Sequence, residues 1–466
     1  MDNLASMFWD FEPKNINPQL EFKNLSISLH TFPSTLNTSE AHYEAIFLPN
    51  IFFSSLTLIL CALTYPLYTS NKSIFLVRKL FATICGLWWL IYPLVNAVTP
   101  IKDNVPKNFA HFLGSFILMS KSIEWGFTQD HSTAEQQKIV RRRSEEFKEK
   151  EDLDSKLSIY ALSEWIFIHF TTLRGIQLPW GQYLKHNRNG FIEETRRLIL
   201  CHCLSLLTLI PILYIRDFCE DSPTKAIKTI FGIYHIFGLS FFARGLHTIA
   251  VITSACATIE AANSTLAVLG HIIHPVISFL RFPAVICEFW NPIYYPPLFS
   301  DVLRLDSVAS FWGKTWHQTF RRSFVVCGST PAMKIAKGIG APKKLIQIAA
   351  LFGAFTVSGF LHSYPMYLMF DPSKTDGNIS TSIKFKMFIC FPLQALGILL
   401  EPIIIPLVPR RIGGGRLWTA GFLCLTLSLV TVEVCKVGRL SSLYKNLGEW
   451  TLKELFVPAF FSPMIL

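Results

Sequence analysis

The chain has 466 residues, of which 51% are hydrophobic and only 16% charged, and it carries a net charge of +11. A soluble domain carries about 25% charged residues, so this composition excludes an ordinary soluble enzyme and points to repeated membrane crossings. No nucleic-acid-binding motif accompanies the positive charge, which therefore reads as membrane orientation and contact with anionic lipid or an anionic co-substrate.

Residues 1–45 read as a polar, luminal N-terminal arm with sequons at Asn24 and Asn37, either of which could carry a glycan. Beyond it, about eight stretches approach the roughly 20 apolar residues that cross a bilayer. They are 46–68, 80–99, 109–127, 198–215, 228–256, 345–370, 387–408 and 417–435. The third is the weakest, because Lys121 and Glu124 sit near its end; three apart, they can pair on one helix face. The expected fold is all-α, a polytopic membrane helix bundle with in-plane or re-entrant amphipathic helices.

The loops set the orientation. Basic residues concentrate in 128–197, 257–344 and the short 409–416 loop, and alternation of eight spans puts all three on one side. By the positive-inside tendency that side is cytosolic, which leaves the N-terminal arm luminal. The segment 128–197 reads as a charged cytosolic insert, densest in mixed charge over 128–156. The segment 264–344 is different, since aromatic residues interleave with Arg and Lys as suits the headgroup layer. Five prolines (Pro275, Pro283, Pro292, Pro296 and Pro297) are expected to break it into short helices and turns.

Chemistry-bearing residues are few. The 11 cysteines form no CxxC pair, and several act as small hydrophobes within the apolar runs. Cys201, His202 and Cys203 point about 100° apart on a helix and cannot close on one ion. His271 and His274 form a single HxxH pair, and no metal site or bound cofactor is expected. No Gly-x-Ser-x-Gly elbow is present. What stands out is His362, an ionisable group inside an apolar run, as a general base or a structural hydrogen bond between helices. His317 follows Trp312, Lys314 and Trp316; on a regular helix Lys314, His317 and Arg321 would share a face, with the two tryptophans as an adjacent apolar stripe. Arg244 and His247, three apart, and Glu401 and Glu433 are the remaining intramembrane polar groups.

The stretch Ser310–Arg322 resembles the signature of the wax synthase-like branch of the membrane-bound O-acyltransferase superfamily. Trp290–Phe299 before it and Val357–His362 after it fit the same pattern. The resemblance is specific over about 280–370, within a membrane-bound O-acyltransferase domain expected over 46–466. It is similar to fungal members that acetylate terpenoid and meroterpenoid alcohols. The resemblance implies His362 as general base and His317 as the second polar group of the catalytic site. It further implies Trp312, Lys314 and Trp316 as part of the motif's frame, with Lys314 standing where Arg is more usual. Gln318, Arg321, Arg322 and Arg244 are the remaining candidates for substrate or CoA binding. The implied co-substrate is acetyl-CoA or another acyl-CoA, the acceptor a hydrophobic alcohol, the setting a multi-pass protein of the endoplasmic reticulum. Long-chain acyl transfer to make wax or sterol esters, and a non-enzymatic transporter, are the alternatives.

Overall fold

A computed structural model describes residues 39–437, apart from 66–67, 69–70, 97–104, 129–158, 176–186, 220–221, 235, 300–304 and 370–376. Most of the N-terminal arm, both sequons and the charged block 129–158 lie outside the described residues. The chain divides into two compact units, Met1–Phe52 and Phe53–Leu466. Of the first, residues 39–52 are described and form the opening turns of helix α1 (Ser39–Ala62).

Every regular element among the described residues is helical. After α1 come α2 (Lys72–Val95), α3 (Val105–Phe127), α4 (Ile159–Thr171), α5 (Phe191–Phe218), α6 (Pro223–Phe231) and α7 (Leu239–Phe279). Then follow α8 (Ala284–Phe289), α9 (Thr330–Gly338), α10 (Lys343–Met369), α11 (Gly377–Ile404) and α12 (Gly415–Val437). Each of the eight expected spans coincides in large part with one of these helices. Among the described residues five helical stretches are long and apolar enough to cross a membrane: Lys72–Val95, Phe191–Ile215, Leu239–Phe279, Lys343–Met366 and Ser382–Leu407. Pro49–Ala62 and Gly415–Thr431 are apolar but shorter.

Two expectations need correcting. The fifth span was expected to end near 256, yet α7 runs to Phe279, 41 residues in all. At ~1.5 Å per residue this is about 60 Å, roughly twice the apolar thickness of a bilayer. Pro275 sits inside α7 without ending it, at the cost of the one hydrogen bond its missing N–H would have made. Thus 264–279, expected as broken in-plane structure, continues the same helix. The turn comes at Arg281, whose φ of 55° is left-handed, before Pro283 starts α8. Second, Lys121 donates to the carbonyls of His169 (2.7 Å) and Thr172 (2.8 Å) at the end of α4, and Glu124 takes Arg322 at 2.8 Å. The expected local partners each reach across to another element.

Helix α4, although within 128–197, is apolar. Its Trp165 indole N–H donates to Thr64 at 3.0 Å, and Ile166 and Phe170 pack on the buried cluster of Leu60, Cys61, Ala82 and Trp125. At 13 residues it is too short to span a bilayer. The remaining helices of the second unit pack in a continuous series: α2 on α3, α3 on α10, α10 on α11, α11 on α12, α12 on α7 and α7 on α5. Glycine sets the closest approaches. A Cβ at Gly359 of α10 would lie 2.5 Å from the Phe388 carbonyl of α11, and one at Gly353 would lie 2.5 Å from the Gly328 carbonyl. Only the missing side chain lets α10 sit this near both neighbours.

Candidate active site

The aromatic-basic motif is not an α-helix. Ser307 caps its start by accepting from Ser310 N (2.9 Å), and the Glu401 carboxylate of α11 accepts from the amides of Val308 and Ala309. Residues Phe311–Thr315 then form a single π-turn, closed by Trp316 N donating to Phe311 O at 2.8 Å. Trp316 itself is extended, with φ −71° and ψ 147°. An isolated π-turn is a local departure that recurs at functional sites. Here it rotates His317 away from the face it would share on a regular helix. Lys314 and Arg321 stay exposed, while His317 goes inward. The expectation that Lys314, His317 and Arg321 form one face is therefore overturned by the break at Trp316.

The turn is anchored from every side. Phe311 is buried with Cys390 and Phe391 of α11 and Leu423 and Leu427 of α12, while Ile252 of α7 and Phe355 of α10 pack against the same cluster. Trp312 donates its indole N–H to Gln394 Oε1 at 3.2 Å, and Gln394 donates to Thr426 Oγ1 at 2.8 Å and Cys390 O at 3.0 Å. Gln318 donates its side-chain amide to Trp316 O (2.7 Å) and Trp312 O (3.1 Å). Both donors of this amide are spent on closing the turn.

His362 lies on α10, one turn beyond Gly359, where α10 and α11 meet. Its ring stacks on Phe391, with centroids 4.0 Å apart and planes 22° apart. Its Nδ1 lies 2.7 Å from the Ser358 carbonyl. A carbonyl only accepts, so Nδ1 carries the hydrogen and the lone pair of the neutral ring is on Nε2. Among the described residues Nδ1 of His317 is buried and has no hydrogen-bond partner. Burial pushes the His317 imidazole down to about 4, and nearby His362 and then Arg174 push it the same way. His317 is thus neutral near pH 7 and close enough to His362 to feel its charge. A path of ring contacts joins the two: His317 to Trp316 (5.3 Å), Trp316 to Trp312 (5.3 Å), Trp312 to Phe391 (6.1 Å), and Phe391 to His362.

The other expected residues are less central. Arg322 pairs with Glu124, and Arg321 Nη1 lies 3.5 Å from Gln318 Oε1. Arg244 is half-buried on α7, about two turns from Ile252. His247, beside it, is buried, with its Nδ1 unpartnered. No group of three His, Cys, Asp or Glu side chains arranged to hold a metal is present among the described residues.

Sequence reasoning missed the clamp on Trp290–Phe299. Glu260 of α7 accepts from the amides of Leu298 (2.8 Å) and Phe299 (3.1 Å). Asn263 and Arg174 both donate to Pro296 O, at 3.1 and 2.8 Å. Asn187 N donates to Ile293 O at 2.8 Å. Arg197 links Glu260 (3.5 Å) to the fully buried Glu194. The available signal was the polar set Glu260, Asn263 and Ser264 interrupting a long apolar helix.

Residues 295–390 match the family model described as "Membrane bound O-acyl transferase family". Acetyltransferase sirH of Emericella nidulans is 30% identical over 159 residues, 32% of this chain and 34% of that protein. An acetyltransferase of Arthrobotrys oligospora is 36% identical over 96 residues, 19% of this chain and 18% of that protein. The chain thus spans about a third or less of the length of these curated relatives. The matched segment holds the π-turn and both histidines, and over that segment the chain is similar to the membrane bound O-acyl transferase family.

Proposed function

We propose that the protein is an acyl-CoA-dependent O-acyltransferase that moves an acetyl group onto a hydroxyl of a hydrophobic, terpenoid-class alcohol within an internal membrane such as the endoplasmic reticulum. The observation that carries this reading is the tautomer of His362. With Nδ1–H committed to Ser358 O, the bare Nε2 is left as a proton acceptor, linked through Phe391, Trp312 and Trp316 to a second, neutral histidine. Acyl transfer from a thioester needs little more.

In this mechanism His362 Nε2 takes the hydroxyl proton as the alcohol oxygen attacks the thioester carbonyl carbon. His317 steadies the negative charge that develops on the carbonyl oxygen, acting as a neutral hydrogen-bond donor. The C–S bond then breaks, the ester leaves, and the proton on His362 passes to the thiolate to give free CoA. Exposed Lys314 and Arg321 are suited to the CoA phosphates, as mobile or planar cations. Stacking on Phe391 holds the His362 ring in plane for proton transfer. The acetyl preference rests on the names of the two fungal relatives; the alcohol class rests on the resemblance of the signature.

The test is ester formation in microsomes carrying the full chain, with labelled acetyl-CoA or palmitoyl-CoA and farnesol, ergosterol or hexadecanol as acceptor. Acetyl ester from the wild type, reduced at least a thousandfold in His362→Ala at matched abundance, is the expected result. Palmitoyl ester in its place moves the function to wax or sterol ester synthesis. Equal ester from both proteins removes His362 as the base, and no ester from any pair counts against transfer altogether.

A further inference from the structure

The clamp on Trp290–Phe299 is more elaborate than a connecting loop needs. Two successive backbone amides, of Leu298 and Phe299, converge on one oxygen of a buried carboxylate, Glu260. The other oxygen of that carboxylate faces Arg197 at 3.5 Å, and Arg197 in turn donates to Ser264 at 2.9 Å. The preceding carbonyl, Pro296 O, takes donors from both Asn263 and Arg174. Gly270 completes the docking: a Cβ there would lie 2.6 Å from Trp290 O. The strap is thus fixed to α7 at its start by close backbone approach and at its end by charge-assisted hydrogen bonds.

What this fixes in space is the Phe299 ring. It meets His317 edge-on, with centroids 5.6 Å apart and planes at 87°, and meets Trp316 at 5.3 Å and 82°. Phe299 is half-buried, and its ring is in direct edge contact with His317. His362 has a different aromatic neighbour, Phe391. The two histidines therefore have separate walls. If His362 takes the proton of the alcohol, the alcohol lies on the Phe391 side. The thioester's acyl group then falls on the His317 side, against Phe299.

We propose that Phe299, set in place by Glu260, is the residue that limits the length of the acyl group accepted beside His317. This inference rests on the acyl-transfer reading. A rigid ring rejects added methylenes sterically only if it cannot retreat, and the paired amide contacts on Glu260 prevent the backbone from retreating. Glu260 acts through Phe299 and is a positioning residue.

The experiment is displacement of labelled acetyl-CoA from the purified full-length protein in nanodiscs by hexanoyl-CoA, which needs no alcohol. Phe299→Ala should raise the affinity for hexanoyl-CoA relative to acetyl-CoA at least tenfold. Glu260→Gln keeps one acceptor but loses the charge, and should move the ratio in the same direction by about two- to fivefold; a purely structural role would weaken both thioesters together and leave the ratio alone. If the alanine variant fails to accumulate, Phe299→Leu carries the same test at smaller amplitude. A ratio unchanged within twofold in a variant that still binds acetyl-CoA overturns the role of Phe299 while leaving acyl transfer standing. A wild-type protein that binds neither thioester overturns both.

Discussion

Replacing Gln394 by Met tests whether the motif turn is held to the bundle as described. Gln394 is completely buried. Its Oε1 accepts from Trp312 Nε1, and its Nε2 donates to Thr426 Oγ1 and Cys390 O. Methionine has nearly the same length and volume, so no cavity term enters. What changes is that the Trp312 indole N–H loses its acceptor. An orphaned buried donor costs about 1–3 kcal/mol. Thr426 still donates to Phe422 O at 2.8 Å, and Cys390 O remains in the helix ladder, so their losses are smaller. Hydrogen bonds between membrane helices average ~0.6 kcal/mol and reach ~1.7 by double-mutant cycles. Because Gln394 is fully buried, the upper part of that range applies. The expected loss is therefore about 1–2 kcal/mol in unfolding free energy, read by SDS titration in mixed micelles. Trp312→Phe removes the same bond from the other end. The double variant should lose about 1 kcal/mol less than the sum of the two singles. Additivity within about 0.3 kcal/mol would refute the bond and with it this account of the turn's anchoring.

The pH dependence of stability carries a second test. His317 falls from 6.5 to about 4 on folding. It is neutral in both states above pH 6.5, and between 6.5 and 4 only the unfolded chain gains its proton. Stability is thus lost as the pH falls through that window, by at most about 3.5 kcal/mol at ~1.4 kcal/mol per pH unit. His317→Asn should flatten the wild-type slope between pH 6.5 and 4, whereas parallel slopes would deny the burial of this ring. A third test separates the basic residues. Arg322 pairs with the buried Glu124, so Arg322→Met should cost about 1–3 kcal/mol of stability. Exposed Lys314→Met should cost less stability than Arg322→Met and instead raise KM for the acyl-CoA several-fold; the reverse pattern would exchange their roles.

The helices were legible because hydropathy largely dictates them: each apolar stretch overlaps a helix, although the fifth was misplaced at both ends and only five described helices are long and apolar enough to cross a membrane. His362 stood out for the same reason, as a costly polar group in an apolar run. The geometry around it was not legible. Spacings of three and four residues among Trp312, Lys314, Trp316 and Arg321 read as α-helical, and one i→i+5 hydrogen bond, from Trp316 N to Phe311 O, undoes that reading. Periodicity cannot see such a turn, because it depends on Gln318 and Glu401 capping backbone groups from outside. The clamp was hidden for a related reason. Glu260 and Asn263 have backbone partners more than thirty positions away, and nothing in a local window predicts a carboxylate binding two distant amides. Helix α7 was cut short in the sequence reading because Asn263, Ser264, His271 and His274 lower its hydropathy, although all of them are comfortable on a helix that outruns the bilayer.

The length of α7 has a consequence for how the site meets its surroundings. The strap is tied to α7 at Glu260, Asn263 and Gly270, and the motif cluster touches the same helix at Ile252. Both walls of the His317 side therefore ride on one rod. When a bilayer thickens or thins, helices respond mainly by tilting, and a tilt of this rod carries strap and turn together. The spacing beside His317 is then set by contacts within the protein and not by the thickness of the surrounding bilayer.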